Sequence, residues 1–192
     1  MKKKKWYIGI VGPIASGKEE FANYFIKKYG FGTFSLSTIL HMELKKRGVD
    51  PVHRKTLQDI GDELRRNFGA DVLAKMAIEL LNGDHRSVII TGIRNPAEVE
   101  YLNKIKNFIL VAVVADDKIR YDRMRRRAKP WDPKTWEDFQ IVNKRDLGIG
   151  QDKTGQQVGE TLKLAHFRFE NNGTLALMYK KIEKFIKKFK LF

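Results

Sequence analysis

The sequence predicts an α/β fold with a mostly parallel sheet, and three observations carry that reading. Short β-branched runs alternate with segments of helical periodicity along the whole chain. The run Phe108–Ala115 is apolar throughout, as a strand covered on both faces must be. Glycine, proline or a capping residue marks most junctions between the two kinds of segment.

Taken in order, Trp6–Val11 is a buried strand that stops at Gly12-Pro13. Glu19–Tyr29 places Phe21, Tyr24, Phe25 and Lys28 at helical spacing and ends at Gly30. Thr33–Leu36 forms a second short strand, followed by a helix from Ser37 to Arg47 that stops at Gly48. Leu57, Ile60, Leu64 and Phe68 mark a third helix. Asp71 caps a fourth, with Val72, Leu73, Met76, Leu80 and Leu81 inward. Val88–Ile90 is the third strand. Asn95-Pro96-Ala97-Glu98 then reads as a capping box with proline at the first helical position, and Val99, Leu102 and Ile105 continue its apolar face. Phe108–Ala115 is a central strand. Ile119–Arg127 and Thr135–Arg145 are charged helices, Gly148–Gln157 is a loop, and Phe167–Phe169 is the last strand. Thr174–Phe189 closes the chain as a helix with Leu175, Met178, Ile182, Phe185 and Phe189 on one stripe.

Length and charge bound what this fold does. At 192 residues the chain is read as one domain, 1–192, able to bury a core without staples. It has no cysteine, which excludes disulfides, thiolate metal sites and cysteine nucleophiles, and fits a reducing cytoplasm. His41, His53, His85 and His166 lack metal-ligand spacing, so no metal-binding residues are assigned. No apolar run is long enough to span a membrane, and Met1–Lys5 reads as a basic lead-in to the first strand. The net charge of +15 admits a polyanionic partner such as nucleic acid. No nucleic-acid motif accompanies it, and lysines near the end of the last helix complement its dipole, so a solvated surface is the preferred reading.

Between the first strand and first helix lies Gly12-Pro13-Ile14-Ala15-Ser16-Gly17-Lys18, a G-x-x-x-x-G-K string in the strand–loop–helix setting its mechanism requires. Glycines let successive N–H groups point at phosphate oxygens, the helix N-terminus adds positive potential, and Lys18 reaches the terminal phosphates. The next position, where such loops carry a magnesium-ligating hydroxyl, is Glu19, and Glu20 follows. A carboxylate about 4 Å from a phosphate charge costs roughly 1 kcal/mol in water and about 4 at an effective dielectric of 20, so either these side chains rotate away, or one takes part in Mg²⁺ coordination, or triphosphate binding is weakened.

With the segments that follow this loop, the chain resembles the nucleotide-kinase branch of P-loop proteins. These are the nucleoside and deoxynucleoside monophosphate kinases and dephospho-CoA kinase, and above all their small kinase-like ATPase relatives. The segments are Ser35-Leu36-Ser37, Thr56 to Arg65, Thr91-Gly92-Ile93-Arg94-Asn95-Pro96-Ala97-Glu98, the arginine-rich helix, and Asn171-Asn172-Gly173-Thr174. The resemblance implies a three-layer α/β/α fold around a mostly parallel five-stranded sheet. It further implies a helical acceptor-binding region over about 37–81 and an arginine-rich lid over about 120–157. The implied activity is ATP- and Mg²⁺-dependent phosphoryl transfer to a small phosphorylated nucleotide, with dephospho-CoA as an alternative acceptor.

By the same resemblance Ser35, Ser37, Gln58, Arg65 and Arg94 would hold the acceptor, and Asn172, Gly173 and Thr174 would touch adenine. Arg120, Arg123 and Arg127 fall at i, i+3 and i+7 on one helix face, which suits neutralisation of a moving phosphoryl group together with Lys18 and Arg94. The stretch Lys129–Pro133 would be the hinge or tip of the lid. The chain departs from these relatives where they carry acids and a basic group: Thr91 ends the third strand, and Thr38 and His41 follow the second. Asp116 and Asp117 could replace a lost acid or cap the next helix. These departures keep open a binder that no longer transfers phosphate.

Overall fold

A computed structural model describes residues 4–50, 54–129 and 132–191. The readings that fall on Met1–Lys3, His53, Pro130 and Trp131 lie outside the described residues. Five strands form one parallel sheet in the order β2-β3-β1-β4-β5. They are β1 (Tyr7–Val11), β2 (Gly32–Ser35), β3 (Val88–Thr91), β4 (Phe108–Val114) and β5 (Phe167–Glu170). β1 is the middle strand, with Gly9 opposite Ile90 on one side and Leu110 on the other. β4 lies beside it and is buried at every position, as its unbroken apolar run demands.

Helices α1 (Lys18–Tyr29) and α9 (Leu175–Phe189) cover one face of the sheet. Phe21, Phe25, Ile182 and Phe185 pack there on Ile8, Ile10, Val111 and Phe169. The other face is covered by α2 (Leu36–Lys46), α3 (Arg54–Phe68), α4 (Val72–Leu80), α5 (Pro96–Leu102) and α8 (Val158–Lys163). The result is a three-layer α/β/α fold. α6 (Asp117–Arg127) and α7 (Trp136–Leu147) stand beyond the C-terminal edge of the sheet over a smaller cluster of Ile14, Met124 and Phe139. Among the described residues, no helix is long and apolar enough to cross a membrane.

Most junctions form as their residues dictate. Asn95 accepts from Ala97 N at 3.0 Å, and Glu98 accepts from Asn95 N at 3.1 Å, which closes the capping box on α5. Thr174 caps α9 through Leu177 N. Other expectations are corrected. Asp71 stands at the start of α4 but gives no side-chain cap; it pairs with Lys75 instead. Asp116 likewise occupies the N-cap of α6 without capping through its side chain, while Asp117 pairs with Arg120. Phe68, Met76, Leu80 and Leu175 are exposed rather than inward: Phe68 and Leu175 are the terminal residues of α3 and α9, and Met76 and Leu80 stand beside the buried positions Leu73, Ala77 and Leu81. Helix α8, which no sequence signal marked, buries Val158 and Thr161 against the sheet layer.

Candidate functional site: a phosphate loop facing a cavity

The loop between β1 and α1 is built by close approach. A Cβ at Gly12 would lie 2.1 Å from the Val113 carbonyl oxygen, so only glycine lets the loop leave β1 beside β4. Ala15 and Gly17 both take left-handed backbone conformations, which curl the chain as an anion-binding nest requires. Gly17 also lies against Asn171, whose Nδ2 donates to the Ser16 carbonyl at 2.9 Å. The Ser16 hydroxyl is buried with no protein partner.

The arginines of α6 are engaged by the protein itself, although Arg127 stays exposed. Arg120 is buried and donates to the carbonyls of Ile14 and Ala115 and to Asn143 Oδ1, each at 3.0 Å. Arg123 donates to Asn171 O at 2.7 Å and Ser16 O at 3.4 Å. Arg127 makes a two-pronged contact with Asp132 at 2.7 and 2.8 Å. Two of the three therefore brace the phosphate loop from behind, and only Arg127 also lines the cavity in front of it.

That cavity measures about 540 Å³ and opens on the loop. Ile14, Ala15, Lys18 and Glu19 form its loop side; Ser37, Gln58 and Arg65 form the wall on α2 and α3; Arg94 enters from the end of β3. This is the C-terminal edge of a parallel sheet, where open α/β folds bind ligands. Ser35 lies just behind the lining, its hydroxyl 2.7 Å from that of Ser37. Glu20, Asn172, Gly173 and Thr174 stand outside it; Asn172 Oδ1 accepts from Asp116 N. Arg65 shows its guanidinium beneath Gly61 but is held by Glu98, to which it donates from Nε and Nη2 at 3.0 and 2.9 Å.

Lys18 donates to the Gly12 and Pro13 carbonyls at 2.5 and 2.7 Å. Burial of its ammonium at the loop pushes its pKa down to about 7. Arg94 and Arg120 add to this, while Asp146 and Glu19 oppose it. Three contributors escaped sequence reasoning as site residues. Asp146, on the last turn of α7, is 1% exposed and ion-pairs with Arg94 inside the cavity. Gln156 accepts from Arg94 Nη1 at 3.3 Å. Asn171 latches the loop to the end of β5. Asp146 and Gln156 are brought in by tertiary docking from segments whose own sequence carries no motif, while Asn171 opens the Asn171–Thr174 segment, whose later residues alone were read as site residues.

These residues fit a nucleotide phosphate chain: a glycine loop with an orphaned buried hydroxyl at Ser16 leads into Lys18, which lines the cavity. They do not fit a magnesium ion held by the protein. Glu19 replaces the hydroxyl ligand, Thr91 ends β3, and among the described residues no three His, Cys, Asp or Glu side chains cluster to hold a metal.

A family model described as an AAA domain matches residues 8–144. UPF0200 protein PH1008 of Pyrococcus horikoshii is 34% identical over 185 residues, 93% of this chain and 95% of that protein. The chain belongs to the UPF0200 family. Among solved structures, TT1252 from Thermus thermophilus superposes with a TM-score of 0.63 at 16% identity, covering 97% of this chain and 98% of that one. Shikimate kinase from Acinetobacter baumannii superposes with a TM-score of 0.58 at 17% identity, covering 99% and 97%. At those identities the likeness establishes the fold, which is that of P-loop kinases.

Proposed function

We propose that this protein is an ATP-dependent kinase for a small phosphorylated nucleotide. One observation carries the reading: the phosphate loop, Lys18, Arg94 and Arg127 face the same cavity that Ser37, Gln58 and Arg65 line from the helical region. Phosphoryl transfer is mostly positioning and neutralisation of charge on the moving group, and this arrangement offers both. The loop amides and Lys18 hold the donor phosphates. Arg94 and Arg127 face the transferring group, Arg120 and Arg123 keep the loop in shape, and Arg65 with Gln58 meets the acceptor. Asn172–Thr174 border the donor base. Magnesium travels with the nucleotide, bound through phosphate oxygens and water. A nucleoside or deoxynucleoside monophosphate is one acceptor of this kind and dephospho-CoA is the other.

The substitutions Glu19 and Thr91 favour a second reading, a nucleotide binder without transfer. One experiment separates them: ADP release from ATP and Mg²⁺ with a panel of nucleoside monophosphates and dephospho-CoA, alongside calorimetry of ATP binding. The kinase reading expects turnover of one panel member. It expects Lys18→Ala to weaken ATP binding by about 1.5–3 kcal/mol, the worth of a hydrogen bond to a charged group. Tight ATP binding with no acceptor turned over selects the binder, and equal ATP affinity in wild type and Lys18→Ala removes the loop from both.

A further inference from the structure

Asp146 is the feature this reading leaves unused. Among the described residues, the carboxylates lining the cavity are Glu19 and Asp146. Glu19 is exposed and follows Lys18 on the donor side. Asp146 is 1% exposed, paired to Arg94 and close enough to Lys18 to oppose the fall in that group's pKa. Its carboxylate thus stands among the cations that mark where the transferring phosphoryl group must sit.

The surrounding backbone holds it there. α7 ends at Gly148 in a left-handed conformation, where a Cβ would lie 2.6 Å from Gln157 Oε1. Gln157 N donates to the Arg94 carbonyl at 2.7 Å, and Asn95 Nδ2 donates to the carbonyls of Lys153 and Gly155. The segment after α7 is therefore docked on the corner that carries Arg94, and both members of the pair sit on fixed supports.

A buried carboxylate at this place discriminates between acceptors. An acceptor phosphate is already a nucleophile and would be repelled by it. A hydroxyl must lose its proton as it attacks, and a positioned carboxylate takes it. A carboxylate has two oxygens with about four lone-pair sites, so it can receive a hydroxyl proton while it stays bonded to its existing partners.

Resting on the kinase reading above, we infer that the acceptor reacts through a hydroxyl oxygen and that Asp146 accepts its proton. The hydroxyl oxygen forms a bond to the γ-phosphorus while the bond to the β,γ-bridging oxygen breaks, and ADP leaves with that electron pair. The proton passes to the Asp146 carboxylate and from there to solvent. The acceptor is thus a small molecule with an anionic group for Arg65 and a free hydroxyl, as dephospho-CoA has on its ribose.

The test compares wild type, Asp146→Asn and Asp146→Glu with ATP and Mg²⁺. The acceptors are dephospho-CoA, AMP, adenosine and water alone, and phosphorus NMR identifies the product. A phosphate ester of dephospho-CoA is expected in wild type, formed faster than any free phosphate with water alone. Asp146→Asn can still accept from Arg94 but cannot take the proton; its turnover is expected to fall about a hundredfold or more. Its ATP affinity should equal or exceed that of wild type, because an anion has left the phosphate site. Asp146→Glu should recover part of the turnover. Loss of ATP affinity together with turnover, at unchanged melting temperature, would make Asp146 a mere support for Arg94 and overturn the inference. A phosphoanhydride from AMP would overturn it while leaving the kinase reading intact. ATP binding with no acceptor phosphorylated, whether or not free phosphate forms, would overturn both.

Discussion

At the scale of the residue, Lys18 gives the clearest pH signature. Its folded pKa of about 7 lies below the ordinary 10.5, so between these values the unfolded chain binds more protons than the folded one. Stability therefore rises with pH through that window, and the cost of burying the charged ammonium is fully present below about 7. Lys18→Met removes the titrating group. Without nucleotide, its stability relative to wild type should be most favourable below pH 7 and decline as pH rises towards 10.5. Thermal melts across that range check this; a difference independent of pH would show that the ammonium is well solvated. Glu19 is the second residue to interrogate. If its carboxylate opposes the donor phosphates, Glu19→Ser tightens Mg-ATP binding, by about 1 kcal/mol for an exposed charge about 4 Å away. Calorimetry in low salt measures it, and unchanged affinity would mean that the exposed side chain turns away.

At the scale of the element, the pair Arg65–Glu98 ties α3 to α5. Both side chains are buried, and Glu98 also accepts from the Arg94 and Asn95 amides. Removing Glu98 leaves the buried Arg65 guanidinium with Asp62 alone, 3.5 Å away, and breaking a buried pair costs about 3–5 kcal/mol. Glu98→Ala should lower the melting temperature by roughly 6–20 °C, at about 2–4 °C per kcal/mol for a domain of this size. A drop of only a few degrees would show that the pair is hydrated. The same elements show what was legible in the sequence. The phosphate loop, the five strands and the α5 capping box could be read because each is decided within a few residues. Asp146 and Asn171 could not be read as site residues, because their roles arise only where α7 docks on the β3–α5 corner and β5 ends beside the loop. Helix α8 was hidden because six residues are too few for a periodic stripe to stand out. The α6 arginines were found, but spacing alone showed a shared face and not which side of the phosphate loop it meets.

At the scale of the whole molecule, the phosphate loop is where the layers meet. It joins β1 to α1, rests on α6 through Arg120 and Arg123, and is latched to the end of β5 by Asn171. A ligand seated there engages the cooperative unit and not one flexible loop, so its binding energy should appear as global stability. At a hundred times its Kd a ligand adds about 2.7 kcal/mol. For a domain of this size that is a rise of roughly 5–10 °C in melting temperature. The net charge of +15 supplies a competing explanation, because any polyanion relieves repulsion among so many cations. Salt separates the two. Attraction over the surface is screened within about 10 Å at 0.1 M salt and about 3 Å at 1 M, whereas contacts inside the cavity are screened much less. The ATP-induced rise is therefore expected to persist in about 1 M salt in wild type, when ATP is kept above its Kd under those conditions. In Lys18→Ala at the same ATP concentration it should be markedly smaller. Asn171→Ala, which frees the loop from β5, should shrink it too while keeping Lys18 in place. A rise that disappears in high salt for wild type, or matches it in both variants, would assign ATP to the lysine-rich surface and not to the loop.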